Sequence, residues 1–160
     1  MTPIVLAVAD TSIVIYLHRI GQLRVLCNIY TKVLLPEAVL TELGEGSPEY
    51  AAVLALSCTQ RRSFLIHPDF EQPKLHAGER EVLSAALGLP SAVALLDDGR
   101  ARAMAQLHEL PLAGLLGILN RAKQQGLVPA VRPLVDRAVQ EGYRIRESFY
   151  AAFLRRIGEA

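Results

Sequence analysis

The sequence predicts an α/β fold in which helices cover both faces of a central, mostly parallel sheet. Three apolar runs have the composition of strands buried on both faces, namely Pro3–Ala9, Val33–Leu35 and Ala92–Leu96. Segments of helical periodicity separate these runs. Strands that alternate with helices require right-handed crossover connections, which place a parallel sheet between two helical layers in an α/β/α arrangement.

Turn residues and periodicity place the remaining elements. Phe64–His67 is predicted as a short edge strand, and Pro111–Ala113 as a last strand. Helices are expected at about 13–20, 23–29, 36–43, 48–56, 77–87, 100–108, 115–125, 130–141 and 147–157. We expect one domain over 1–160, with an α/β core to about residue 115 and C-terminal helices from about residue 116.

Composition narrows the class of protein. Hydrophobic residues make up 51% and charged residues 21%, which is typical of a globular chain and excludes disorder. The apolar runs are too short to span a bilayer, and no signal peptide is indicated, so we expect a cytoplasmic protein without membrane contact. Cys27 and Cys58 share no metal-ligand or redox spacing, and both are expected to be reduced thiols.

Charge is unevenly distributed along the chain. The net charge of +1 excludes a generally basic nucleic-acid binder, but residues 117–160 carry 8 basic and 4 acidic side chains. These basic residues form either a solvated helix face or a flank for a polyanion or an acidic partner. They include Arg121, Lys123, Arg144, Arg146, Arg155 and Arg156. The helical spacing of Tyr143, Phe149, Tyr150 and Phe153 favours core packing over base stacking.

Acidic residues follow two of the predicted strands. Asp10 ends the first strand, and Asp97 and Asp98 end the third. Ligands of open parallel sheets bind at the carboxyl ends of the strands. The alternative is that each aspartate caps the helix that follows it.

Two further acids lie on helices beside apolar residues. Glu79 shares a helix face with Val82, Leu83 and Ala86, and Glu42 shares one with Ala38 and Val39. A carboxylate directed at a core is costly unless it is paired or bound to a metal. The alternatives are a helix-start position for Glu79 and a rim position for Glu42. Ordinary solvent-facing or helix-start positions are assigned to Glu37, Glu45, Glu49, Arg80 and Glu81.

The four acids together point to a cation. Crossovers of this kind can bring Asp10, Glu42, Glu79 and one of Asp97 and Asp98 to one rim of the sheet. Clustered carboxylates raise each other's pKa unless a cation compensates. Ligands that are all oxygen suit Mg²⁺ or Mn²⁺, and such ions support phosphodiester hydrolysis.

Several segments resemble PIN domains. The strings VADTSIVIYLHRIGQL, LLPEAVLTEL, HAGEREVLSAALGLP and ALLDDGRARAMAQLHEL resemble four successive blocks of that family, and the likeness continues to the end of the chain. The subgroup that they resemble is bacterial and archaeal and is related to VapC-type toxins. The third acid is glutamate, where the wider superfamily usually has aspartate, and Gly99 stands where relatives often carry a charge.

The resemblance implies a PIN-like fold and a metal-dependent endoribonuclease. Asp10, Glu42, Glu79 and Asp98 would form the catalytic acidic quartet that holds Mg²⁺ or Mn²⁺. Asp97 would be a substitute or supporting metal ligand. Supporting hydroxyls would come from Ser12 and Thr11, and candidate phosphate-binding side chains are Arg100 and Arg102. His76 is disfavoured as a catalytic base.

The resemblance also implies partners. The substrate would be RNA, an antitoxin protein would block the site, and a homodimer would form through the apolar helices at 13–29 and 48–56. Two alternatives remain, a non-catalytic PIN scaffold that acts as an interaction or RNA-binding module and a DNA nuclease of the same superfamily.

Overall fold

Five parallel strands form the centre of the computed structural model, which describes residues 5–160. The strand order across the sheet is β3-β2-β1-β4-β5. The bounds are β1 Leu6–Ala9, β2 Lys32–Pro36, β3 Thr59–Arg62, β4 Val93–Leu95 and β5 Leu112–Ala113. The predicted parallel sheet is confirmed. Pro3 and Ile4, which belong to the first predicted strand, lie outside the described residues.

Helices connect these strands and form the layers of the α/β/α fold. Their bounds are α1 Thr11–Arg19, α2 Val25–Ile29, α3 Glu37–Leu43, α4 Pro48–Leu54, α5 Ala77–Gly88, α6 Gly99–Leu107, α7 Leu115–Gln124, α8 Arg132–Gln140 and α9 Glu147–Ile157. All nine were predicted from periodicity, with ends that differ by a few residues. Within residues 5–160, no helix has the length and apolar character needed to cross a membrane.

The position of β1 in the sheet determines where a ligand would bind. β1 pairs with β2 on one side and with β4 on the other, with Ala9 opposite Leu95. After β1 the chain builds the β2–β3 side first and then crosses to β4 on the other side. The carboxyl ends of β1 and β4 therefore flank a topological switch point, where open α/β sheets leave a crevice.

The edge strand lies in a different segment from the one predicted. Phe64–His67 is not a strand in the structure, and β3 is formed instead by the polar residues Thr59–Arg62. The backbone N–H of Phe64 donates to Glu81 Oε2 at 2.7 Å, and that of His67 donates to Ser84 Oγ at 2.9 Å. These amides bond to side chains of α5 rather than to a strand. The residues of β3 are mostly exposed and polar, so they lack the apolar pattern by which a strand is predicted.

The two cysteines form a disulfide, so the expectation of two reduced thiols is wrong. The Cα atoms of Cys27 and Cys58 are 5.4 Å apart, although 31 residues separate them in sequence. The N–H of Val33 donates to the carbonyl of Cys58 at 3.0 Å, which places Cys58 beside the start of β2 and close to the end of α2. Sequence spacing gives no signal of this approach. Disulfides are typical of oxidising environments, so the cytoplasmic location stays a prediction.

The helices proposed for a homodimer use their apolar side chains inside the chain. Ile13, Val14 and Leu17 of α1 are fully buried. Among the described residues, the exposed large hydrophobic side chains lie outside 13–29 and 48–56. These two segments therefore supply no large exposed apolar side chain for a dimer contact, and the homodimer stays a prediction.

The C-terminal aromatic residues differ in burial. Phe153 is buried, and Tyr143 and Tyr150 are half-buried and pack against the core, as predicted. Phe149 is 59% exposed, so the prediction of core packing is wrong for this residue. Phe149 lines a cleft beside the buried ring of Phe153.

Glu159 ties the end of the chain to the start of α8. Its carboxylate accepts hydrogen bonds from the backbone N–H groups of Val131 at 2.9 Å and Arg132 at 2.8 Å, and from Lys123 Nζ at 2.8 Å. Burial raises the pKa of Glu159, but the bonds from Lys123 and the two amides outweigh it and lower the pKa to about 2. The ionised carboxylate therefore stabilises the packing of α7, α8 and the C-terminus.

We predict that Glu159→Gln lowers the free energy of unfolding by about 2 kcal/mol at pH 7, because charge-assisted hydrogen bonds are lost. The pKa of this group is depressed in the fold, so its contribution is complete above the ordinary value of 4.5 and is lost as the pH falls toward 2. Urea unfolding at several pH values measures the difference, with the exposed Glu141→Gln as control. An equal effect of the two substitutions would contradict this role.

Candidate active site

A pocket of about 340 Å³ opens at the carboxyl ends of β1 and β4. Four carboxylates from separate parts of the chain line it: Asp10 after β1, Glu42 in α3, Glu79 in α5 and Asp98 before α6. The remaining lining residues are Thr11, Ser12, Ile15 and His76. The structure thus brings together the four acids that were predicted to share one site.

Asp10 is buried at the centre of this arrangement. Its backbone N–H donates to Leu95 O at 3.1 Å, which extends the β1–β4 pairing by one residue. It occupies the N-cap position of α1, but its side chain accepts no capping hydrogen bond there. Helix capping therefore does not account for an aspartate that is only 5% exposed.

Asp98 both caps a helix and lines the pocket. Its Oδ2 accepts hydrogen bonds from the backbone N–H groups of Arg100 at 3.0 Å and Ala101 at 3.1 Å. The capping role considered from sequence is therefore real for this residue. These bonds use one oxygen, and they fix the carboxylate at the first turn of α6 beside Glu79.

Glu79 is buried with one oxygen unpartnered. Its Oε1 accepts from the backbone N–H of His76 at 3.3 Å, as a glutamate at the start of a helix does. Its Oε2 is buried and has no hydrogen-bond partner among the described residues. A buried carboxylate oxygen without a donor is costly, and a bound cation would remove that cost.

Glu42 is held in place by α1 and α5. Its Oε1 accepts from the hydroxyl of Thr11 at 2.5 Å, and its Oε2 accepts from the backbone N–H of Gly78 at 3.2 Å. A Cβ atom at Gly78 would collide with Glu42 Oε1 and would lie 3.2 Å from Asp10 Oδ1. Gly78 is therefore a site residue that sequence reasoning missed, and its only signal was a glycine in the first turn of the Glu79 helix.

Asp97 points away from the four carboxylates. Its Oδ1 accepts from the backbone N–H of Leu115 at 3.1 Å and from the hydroxyl of Tyr143 at 3.2 Å, and it lines a different cleft. Its Oδ2 is buried without a partner among residues 5–160. Of the two adjacent aspartates, Asp98 is the one that lies in the carboxylate pocket.

The predicted supporting residues are placed differently from one another. Ser12 lines the pocket but makes no hydrogen bond to Asp10 within the described chain, whereas Thr11 bonds to Glu42. Arg100 is exposed and lines neither the pocket nor the cleft. Arg102 is half-buried, lines the cleft and donates to Leu96 O at 3.0 Å.

Glu81 corrects one prediction from the sequence. It was assigned to solvent, but it is 5% exposed. Its Oε1 accepts from the N–H of Ala38 at 2.7 Å, and its Oε2 accepts from the N–H of Phe64 at 2.7 Å. These two amides satisfy the carboxylate, which explains how α5 buries it and distinguishes it from Glu79.

Burial and neighbouring charges raise the pKa values of two of the acids. Burial raises the pKa of Asp10 to about 7, a hydrogen bond from the Thr11 backbone opposes this, and Glu42 and Asp98 add to it. Burial also raises the pKa of Glu79 to about 7, and the carboxylates of Asp98 and Asp10 add to it. Ionisation of Asp10 and Glu79 therefore costs free energy unless a cation is bound nearby.

The donor set fits a hard divalent cation. The oxygens available in the pocket are carboxylate oxygens, which Mg²⁺ and Mn²⁺ prefer, and Glu79 Oε2 lacks a partner among residues 5–160. Within the described residues, no three acidic, histidine or cysteine side chains already converge as ligands of one ion. Of the four carboxylates, Asp10 and Glu79 are the most deeply buried, and Asp98 and Glu42 are oriented by hydrogen bonds from the protein.

Fold and site define a class of protein, a parallel α/β protein with a carboxylate pocket at the switch point of its sheet. A comparison with protein families matches residues 6–159 to a family described as PIN domain. The chain belongs to the PIN-domain family, whose members are in general metal-dependent nucleases. Comparisons with curated proteins and with solved structures found no match.

We predict that the free energy of unfolding, measured without divalent cations, falls as the pH rises from about 4 to about 7. The native state holds protons on Asp10 and Glu79 over this range, with pKa values of about 7, while the unfolded state has lost them at its ordinary values of 3.8 and 4.5. Each group contributes a slope of at most about 1.4 kcal/mol per pH unit.

Asp10→Asn removes one of these groups and should flatten the slope and stabilise the protein at pH 8. Urea unfolding in the presence of a chelator at pH 5 to 8 measures it, and the exposed Glu45→Gln serves as control. Parallel curves for wild type and Asp10→Asn would show that Asp10 does not carry the raised pKa.

Proposed function

We propose that this protein is a divalent-metal-dependent endoribonuclease that hydrolyses RNA phosphodiester bonds, and that it is the toxin of a toxin–antitoxin pair. The observation that carries the nuclease assignment is the pocket at the ends of β1 and β4. Four carboxylates line it, and one oxygen of Glu79 is buried there without a partner among residues 5–160. Membership of the PIN-domain family supports the same chemistry. The choice of RNA and the toxin role rest on the resemblance to VapC-type proteins.

The four carboxylates would bind Mg²⁺ or Mn²⁺ in two different ways. Asp10 and Glu79 would bind the cation through oxygens that are otherwise buried at a cost in free energy. Asp98 would present the oxygen that does not cap α6, and Glu42 would stay oriented by Thr11 and Gly78. When bound, the cation supplies charge neutralisation at phosphate and lowers the pKa of water.

Other residues would prepare the pocket for a substrate. Gly78 leaves the space that the Asp10 and Glu42 carboxylates occupy. The Ser12 hydroxyl lines the pocket and is available to orient water or a ligand oxygen. No side chain is assigned as sole general base, because the exposed His76 imidazole contacts Glu79 only at 3.9 Å.

We predict that purified protein cleaves RNA in the presence of Mg²⁺ or Mn²⁺ and that Asp10→Asn or Glu79→Gln reduces the rate at least about 100-fold, since each removes a charged ligand. Glu42→Gln should impair cleavage, whereas Glu45→Gln, two residues after the end of α3, should not. Product formation on structured RNA, single-stranded DNA and a flap substrate measures the activity.

Isothermal titration with Mn²⁺ separates the alternatives. Binding by the wild type and its loss in Asp10→Asn are expected. Metal-dependent cleavage that survives Asp10→Asn would overturn the site. An absence of both metal binding and cleavage would favour a non-catalytic scaffold, and preferential cleavage of DNA would favour a DNA nuclease.

The toxin role predicts a cellular phenotype. Induced expression of the wild type should arrest growth, and Asp10→Asn at equal abundance should not. Co-expression of a small adjacent gene should restore growth, because an antitoxin would cover the pocket. Growth arrest that is equal for both variants would contradict a toxic nuclease activity.

Size-exclusion chromatography with light scattering tests the predicted homodimer.

A further inference from the structure

A second, larger cleft lies on the other side of β4. It has a volume of about 910 Å³ and is lined by the end of the sheet, by α7 and by the C-terminal segment at 143–156. Asp97 lies at its base. Nothing in the proposed catalytic chemistry uses this cleft.

The cleft carries a concentration of positive charge. Five arginines line it: Arg102, Arg121, Arg144, Arg146 and Arg156. No ion pair within residues 5–160 involves any of them, and Asp97 is the one acid among the lining residues described. The protein as a whole has a net charge of only +1, so this cleft is a local feature rather than a consequence of overall charge.

Aromatic rings lie among these arginines. Phe149 is 59% exposed and lines the cleft, although its helix α9 buries the neighbouring ring of Phe153. The Arg156 guanidinium lies 5.4 Å from the centre of the Phe153 ring. Guanidinium groups next to exposed rings can neutralise phosphates and stack on unpaired bases, a combination that duplex nucleic acid does not require.

The cleft adjoins the carboxylate pocket. Asp97 lines the cleft and the next residue, Asp98, lines the pocket, so one step along the backbone separates the two. An RNA strand that runs along the arginines would therefore reach the pocket that the four carboxylates line at the ends of β1 and β4.

We propose that this arginine cleft binds the single-stranded RNA segment that flanks the scissile bond. The phosphates lie against Arg121, Arg144, Arg146 and Arg156, and one base stacks on Phe149. This inference rests on the proposed nuclease function and adds to it the site and the strandedness of substrate binding. The C-terminal basic residues were predicted either as a solvated face or as a flank for a polyanion. Four of them, Arg121, Arg144, Arg146 and Arg156, line the cleft, whereas Lys123 pairs with Glu159 and Arg155 lies outside the cleft.

Fluorescence anisotropy of a labelled oligouridylate tests the cleft directly. The measurement uses the Asp10→Asn protein with a chelator present, so that binding is separated from cleavage. Arg144→Gln with Arg146→Gln should weaken binding roughly tenfold and make the slope of log K against log salt less negative by about 1.4, since each phosphate contact with a single strand contributes about 0.7.

The matched control is Arg137→Gln with Arg155→Gln. It removes the same charge from the C-terminal helices at positions that do not line the cleft, and it should change the affinity less than twofold. An equal loss in the two double variants would show that general charge, not the cleft, binds the strand, and would overturn the proposal.

Phe149 tests the stacking contribution. Phe149→Ala should weaken binding roughly tenfold without changing the salt slope, and Phe149→Tyr should restore it, because stacking involves no counterion release. Unchanged affinity in Phe149→Ala would overturn the stacking assignment. Duplex RNA or polyglutamate that competes as well as the oligouridylate would overturn the choice of single-stranded RNA.

Cleavage assays of the same variants, with Asp10 intact, separate this proposal from the nuclease assignment. Cleft-dependent binding by a protein that cleaves nothing would reject the nuclease and retain the cleft. Cleavage by the Arg144→Gln, Arg146→Gln protein at the rate of its control would reject the cleft and retain the nuclease.

Discussion

The parallel pairing of β1 with β4 is the constraint on which the rest of the site depends. Ala9 lies opposite Leu95, and the N–H of Asp10 continues the pairing to Leu95 O. Both strands therefore end at the same edge of the sheet, and the chain departs from them in helices α1 and α6. Asp10 follows β1 directly and Asp98 lies three residues after the end of β4, so two carboxylates come together at a point fixed by backbone hydrogen bonds. α3 and α5 then add Glu42 and Glu79 from the adjoining layer.

The same arrangement places carboxylates in the pocket without enough hydrogen-bond donors or positive charges beside them. Glu81 shows how this fold satisfies a buried carboxylate, with two backbone amides at 2.7 Å. Glu79, two residues earlier on α5, has a single long hydrogen bond, and its other oxygen has no partner in the described part of the chain. Within residues 5–160, the side chain of Asp10 likewise accepts no capping hydrogen bond. Glu42 and Asp98 each accept two hydrogen bonds, whereas Glu79 keeps a buried oxygen without a donor, and this difference supports the proposed binding of a cation.

Asp97 and Asp98, which follow β4, face two different surfaces of the protein. Successive side chains of an extended backbone point to opposite sides, and Asp98 has φ −62° and ψ 133°. Asp98 thereby faces the carboxylate pocket, while Asp97 holds Leu115 and Tyr143 at the base of the arginine cleft. One short segment links a negatively charged pocket to a positively charged cleft, and so couples the chemistry proposed for one to the binding proposed for the other.

Residue patterns determined most of the fold. The buried strands read as continuous apolar runs, and helical periodicity with glycine and proline at the ends located the helices. The polar edge strand β3 was missed because its residues are exposed. The four acids were predicted as one site because of their positions at strand ends, the helix face of Glu79 and the family resemblance. No local pattern placed Glu42 beside Gly78. Only the tertiary structure decided which of two adjacent aspartates enters the pocket, which of two glutamates on α5 is satisfied, that Cys27 meets Cys58, and which arginines share a cleft. These outcomes depend on contacts between residues distant in sequence, and local periodicity carries no information about them.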